Sequence, residues 1–119
     1  MIEPEYPAFA RCWNAGEFFR AHEVLEGLWV RTRDRGQQGL IQMAAALYHV
    51  QRGNLKGAKT MIERALPRLL GPAADGPIDR GAIARYADRL REALGSGDAE
   101  KIAAAIRERP MLAAGSGGA

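Results

Sequence analysis

The sequence predicts an all-α protein, a compact antiparallel bundle of about five to six helices arranged as helical hairpins. Three observations predict it. Ala and Leu dominate over the β-branched residues that favour sheet. Apolar residues recur with the period of a helix, and no segment alternates like a strand. Clusters of Gly, Asn, Asp and Pro interrupt that periodicity at short intervals, so the connections are short and neighbouring helices run antiparallel.

Pro7 suits the first turn of a helix whose apolar positions are Phe9, Ala10 and Trp13, and Asn14-Ala15-Gly16 ends it. A second helix is expected from about Glu17 to Arg31, with Phe18, Ala21, Leu25, Leu28 and Trp29 on one face. Thr32 to Gly36 reads as a polar turn. A third helix follows from about Gln37 to Gln51, with Leu40, Ile41, Ala44, Leu47 and Tyr48 inward. Gly53 serves as a C-cap and Asn54 as the N-cap of a fourth helix through Leu55, Ala58, Met61, Ile62, Ala65 and Leu66, which Pro67 ends or kinks. Asp79 and Asp98 cap a fifth and a sixth helix, separated by Gly95-Ser96-Gly97.

The domain reading is a core over residues 1–70, a Gly/Pro/Ala linker over 71–78, a helical hairpin over 79–109 packed on that core, and a disordered tail over 110–119. A faint internal similarity relates Gly16–Ala21 to Gly53–Ala58 at an offset of 37 residues. It looks like tetratricopeptide-type hairpin chemistry, in which Ala sits where helices cross closely.

Composition narrows the function classes. The single cysteine, Cys12, forbids an intrachain disulfide and fits a reducing compartment. The acidic N-terminus lacks the basic region of a signal peptide, and the longest apolar run, Met43 to Tyr48, is too short to span a bilayer. A cytoplasmic protein without a membrane partner is expected. Residues 31–68 carry eight Lys/Arg against Asp34 and Glu63. That basic middle has no aromatic-studded helix or reader motif with it, so it reads as a solvated rim and not as a nucleic-acid interface. Two basic clusters, Arg31 to Arg35 and Arg52 with Lys56 and Lys59, leave an anionic partner open, but they fall at opposite ends of the hairpin, which argues against a single patch.

Chemistry concentrates in Ala21-His22-Glu23-Val24-Leu25-Glu26-Gly27-Leu28-Trp29, which sets His22, Glu26 and Trp29 on one helical stripe at i, i+4 and i+7. Ionisable groups beside an apolar face are costly unless paired, hydrogen-bonded or metal-bound. If the second and third helices form a hairpin turning near residue 34, Glu26 lies opposite Gln42 and His22 opposite Ala45 and Ala46, about one turn from His49. On the third helix Gln38, Gln42, Ala45 and His49 share a stripe.

Two readings follow. In the first, His22, Glu26 and His49 ligate a divalent metal such as zinc, manganese or nickel, or hold a small ligand. Gln42 is then an orienting or fourth ligand, Trp29 walls off solvent, and an open coordination position permits Lewis-acid or hydrolytic chemistry. The segment is not HExxH, however, because Glu26 stands where the second His would be. In the second reading His22 and Glu26 form a buried hydrogen bond that fixes helix register, Trp29 is a core aromatic with its indole N–H satisfied, and the hairpins present a groove to a protein partner or a second copy of the chain. Gly27, inside a helix, is attributed to a close backbone crossing or to a ligand.

These residues resemble the bacterial and archaeal family known as domain of unknown function 309. The resemblance rests on Phe18 through Trp29, on Gly39-Leu40-Ile41-Gln42, on Tyr48-His49 and on Arg52 through Ala58. It covers roughly residues 9 to 70, and His22, Glu26 and Trp29 match that family's HxxxExxW pattern. It implies a compact all-helical domain and a role of the pattern in metal binding, and it assigns no reaction. The segment from Asp79 onward lies outside it.

Overall fold

The computed structural model describes residues 2–113. Six helices follow one another: α1 (Glu5–Asn14), α2 (Phe18–Thr32), α3 (Arg35–Gln51), α4 (Leu55–Leu70), α5 (Arg80–Ser96) and α6 (Ala99–Arg107). No strand occurs among the described residues. Each helix packs on the next, and α3 also reaches α5. The extents of 42 × 27 × 21 Å describe an elongated stack of hairpins.

Side-chain caps set three helix starts where the sequence places them. Asn54 accepts from the Gly57 N–H, Asp79 from that of Ala82, and Asp98 from those of Glu100 and Lys101. The connection between α2 and α3 is tighter than the expected turn over Thr32–Gly36. Only Arg33 and Asp34 separate the helices, because Asp34 caps α3 by accepting from the Gln37 N–H and draws Arg35 and Gly36 into the helix. Arg33 takes the left-handed conformation (φ 57°), uncommon outside glycine, and its guanidinium lies 4.4 Å from the centre of the Trp29 ring. Pro67 does not end α4, which continues to Leu70. Near a C-terminus the missing N–H forfeits one helical bond, and the Pro67 carbonyl still accepts from Gly71 at 3.0 Å.

One core runs the length of the stack. Trp13 is fully buried among Phe9, Phe18 and Tyr86, with ring centroids 6.0, 5.8 and 6.3 Å away. The alanines that the hairpin reading places at helix crossings, Ala21 and Ala58, are completely buried. Gly39 fills the same role more strictly, since a Cβ there would stand 3.1 Å from the Leu69 backbone nitrogen. Gly27 does not: a Cβ there would meet nothing within 4 Å. The close crossing expected at Gly27 belongs to Gly39.

The 71–78 segment is pinned. Asp34 accepts from the Ala74 N–H at 2.8 Å, Arg80 donates to the carbonyls of Leu69 and Gly71, and Ile78 is buried. Of the expected tail over 110–119, residues 114–119 lie outside the described part of the chain. Its first residues are anchored: the Trp13 indole donates to the Pro110 carbonyl at 2.8 Å, and Asn14 exchanges two 2.8 Å hydrogen bonds with the Leu112 backbone.

Candidate functional site

The α2–α3 hairpin opens a cleft that α4 floors. His22, Glu26 and Trp29 line it from α2, Gln38, Ile41, Gln42 and Ala45 from α3, and Met61 from α4, around a volume of about 190 Å³. Glu26 and Gln42, and likewise His22 and Ala45, which a turn near residue 34 would set opposite each other, line this one cleft from its two helices. Ala45 makes the room. A larger residue at that position would fill the space beside the imidazole.

His22 and Glu26 face each other across one helical turn, with 3.7 Å between Nε2 and Oε2 and side chains 28% and 50% exposed. That separation exceeds a hydrogen bond and allows an ion pair when the imidazole is protonated. The pair is therefore neither sealed nor hydrogen-bonded. The His22 Nδ1 and the Trp29 Nε1 are buried and have no hydrogen-bond partner among the described residues. Trp29 is a half-buried wall, not a satisfied core aromatic, and the Arg33 guanidinium covers one face of it.

The opposite wall is ordered by a residue that the sequence reasoning passed over. Arg68 of α4 donates from Nε to the Gln38 Oε1 at 2.9 Å and from Nη1 to the Gln42 Oε1 at 3.2 Å. A guanidinium only donates, so both glutamine oxygens must turn toward it and both NH₂ groups away. Met61 and Arg68 are seven residues apart on α4 and so share a face, a spacing that was readable once α4 was seen to floor the cleft.

His49 does not join the cleft. It sits in the last turn of α3, where its Nδ1 lies 3.3 Å from the Asn54 Nδ2 and its carbonyl accepts from Asn54 N–H. Two aromatic rings stand at that end of the hairpin. Phe19 stacks on His22 at 6.0 Å and meets Tyr48 at 5.1 Å, and Tyr48 in turn meets the His49 ring at 6.4 Å. Among the described residues no three His, Cys, Asp or Glu side chains gather to hold a metal ion. Two of the three protein ligands that the motif reading asks for stand together, and the third is held elsewhere.

The remaining candidates are quiet. Cys12 is buried, and burial pushes its thiol above the ordinary range, which makes it a poor nucleophile. The two basic clusters lie at opposite ends of α3, about 25 Å apart by helical rise, and form no common patch. No described helix is long and apolar enough to cross a membrane.

An uncharacterized protein of Aquifex aeolicus (strain VF5) is 34% identical over 89 residues, which are 71% of this chain and 26% of that protein. The uncharacterized protein YpuF of Bacillus subtilis (strain 168) is 39% identical over 54 residues, which are 42% of this chain and 31% of that protein. The chain thus spans about a quarter to a third of the length of these relatives. No solved structure matches it. The segment that matches a family model, residues 6–61, runs from α1 into the first half of α4 and contains every residue that lines the cleft, though not Arg68 behind it, and by it the chain belongs to the family described as Domain of unknown function (DUF309).

Proposed function

We propose that the cleft between α2, α3 and α4 is a small-ligand binding site in which His22 and Glu26 act on the bound molecule. One observation carries this reading: the residues that line the cleft have polar groups that the protein itself leaves without partners. A buried donor or acceptor without a partner costs about 1–3 kcal/mol, so each such group in a native structure calls for water or a ligand to satisfy it. A purely architectural His–Glu pair would instead be short and sealed. Here the two are 3.7 Å apart and both remain in reach of solvent.

A divalent cation (zinc, manganese or nickel) is the second reading, and the spacing of His22 and Glu26 favours it. Two ligands of one tetrahedral zinc ion are separated by about 3.4 Å, close to the gap found here. With only two protein donors, such an ion would take the rest of its shell from water or from the ligand. The free, buried Cys12 accords with placing this function in the reducing cytoplasm.

A fragment screen by ¹⁵N–¹H NMR tests the proposal, with a calorimetric titration of the metal-stripped protein by zinc, manganese and nickel alongside. Hits that shift the Trp29 indole and weaken in His22→Ala are expected. Stoichiometric metal binding lost in His22→Ala would establish the cation reading instead. Absence of both, with His22→Ala changing only the melting temperature, would sink the functional reading.

A further inference from the structure

We infer that the cleft selects a small carboxylate, and that Arg68 sets this preference from outside the lining by locking the amides of Gln38 and Gln42. The inference rests on the ligand-site reading above and deepens it.

The argument starts from the asymmetry of hydrogen-bond capacity. Each glutamine amide carries an acceptor and a donor end, and alone it could offer either to a ligand. Arg68 removes the choice. Its Nε and Nη1 take the two oxygens at 2.9 and 3.2 Å, while Nη1 is itself anchored to the Arg64 carbonyl at 2.9 Å. What Gln38 and Gln42 have left for the cleft is N–H. Trp29 adds an indole N–H with no partner among the described residues, and tryptophan has no acceptor to offer. The α3 wall of the cleft therefore presents donors, and it is complementary to oxygen acceptors.

Charge narrows the class. Arg68 forms no ion pair with a carboxylate among the described residues, so its positive charge stands behind the amides uncompensated and polarises them toward an anion. On the other wall Glu26 can only accept when ionised, which suits a hydroxyl or ammonium elsewhere on the same molecule. Size narrows it further. A volume of about 190 Å³ equals the share of about six water molecules, and so suits a ligand of about six to ten non-hydrogen atoms.

Matched probes of opposite chemistry test the inference: propionate and benzoate against propylammonium and benzylammonium. They are titrated into the whole protein and followed by ¹⁵N–¹H NMR of the Gln38 and Gln42 side-chain amides and the Trp29 indole. The Trp13 indole, committed to the Pro110 carbonyl, is the internal reference that must not move. The carboxylates should shift the Gln38, Gln42 and Trp29 signals with saturation. Arg68→Leu should weaken them at least tenfold and let the ammonium probes bind, because the freed amides can turn their oxygens inward. Arg68→Lys keeps the charge but cannot hold two oxygens in a fork, so it should lose carboxylate affinity almost as far. Retention of affinity in Arg68→Lys and Arg68→Leu alike would overturn the role of Arg68. Ammonium probes binding as well as carboxylates to the unaltered protein would overturn the ligand class while leaving the site standing. Silence from all four probes, together with no hits in the fragment screen, would remove the site itself.

Discussion

The Nε2 of His22 and the Oε2 of Glu26 stand 3.7 Å apart on successive turns of α2, too far for a hydrogen bond and close enough for one small group to touch both. Partly exposed pairs of this kind contribute roughly 0–1 kcal/mol to stability. Glu26→Gln should therefore lower stability by less than about 1 kcal/mol in urea denaturation, while weakening whatever the cleft binds. A loss of several kcal/mol would mean that the pair holds the helix register instead.

Two glycines of the motif region should respond in opposite directions. Gly39→Ala drives a methyl to 3.1 Å from the Leu69 backbone nitrogen, which cannot give as a side-chain tip can, and should cost about 1–3 kcal/mol as α3 and α4 are forced apart. Gly27→Ala meets only open space in the middle of α2 and should stabilise by up to about 1 kcal/mol through helix propensity. Thermal denaturation of the two single variants checks both signs.

The first residues after α6 act as a clasp on α1. Asn14 exchanges two hydrogen bonds with Leu112, and Arg109 donates to the carbonyls of Trp13 and Asn14 at the α1 C-terminus. Asn14→Ala should cost about 1–2 kcal/mol, near the usual worth of two partly buried hydrogen bonds. Hydrogen exchange should then show faster opening in α1 than in α3. Equal protection of the two helices would mean that the clasp is not holding α1.

Acid stability should depend on Arg31. Its side-chain hydrogen bond at 2.8 Å holds the Glu5 carboxyl below its ordinary value of 4.5. A carboxyl depressed by folding adds stability that is fully present above about pH 4.5 and is lost as the pH falls through the lower folded value. The Arg31 side of the pair is exposed, so the effect is small and salt should reduce it. Arg31→Ala should flatten the dependence of the melting temperature on pH in that window, lowering the melting temperature slightly near neutrality and hardly at all at acid pH.

Burial of Cys12 predicts kinetic behaviour of a different kind. Desolvation, the main influence, raises its thiol above the ordinary value of 9.0, so at pH 8 alkylation should be slow in the folded protein and fast in denaturant. Rapid labelling under native conditions would show that α1 opens readily around Cys12.

Much of this protein was legible in its residues alone. The helices, the Asn54, Asp79 and Asp98 caps and the pairing of α2 with α3 follow from periodicity and from local hydrogen-bonding chemistry, which act within a few residues along the chain. The same periodicity brings His22, Glu26, Trp29 and Gln42 to one cleft, because a two-helix register needs only one turn position. Other features depend on contacts between segments distant in sequence, and only the tertiary structure decided them. His49 turns to Asn54 at the end of α3 and does not meet His22. The close crossing falls at Gly39 and not at Gly27, because α4 approaches α3 there. Arg68 reaches back over 26 and 30 residues to settle which end of each glutamine faces the cleft. Local patterns carry the direction of a side chain, but the identity of what stands opposite it is a property of packing.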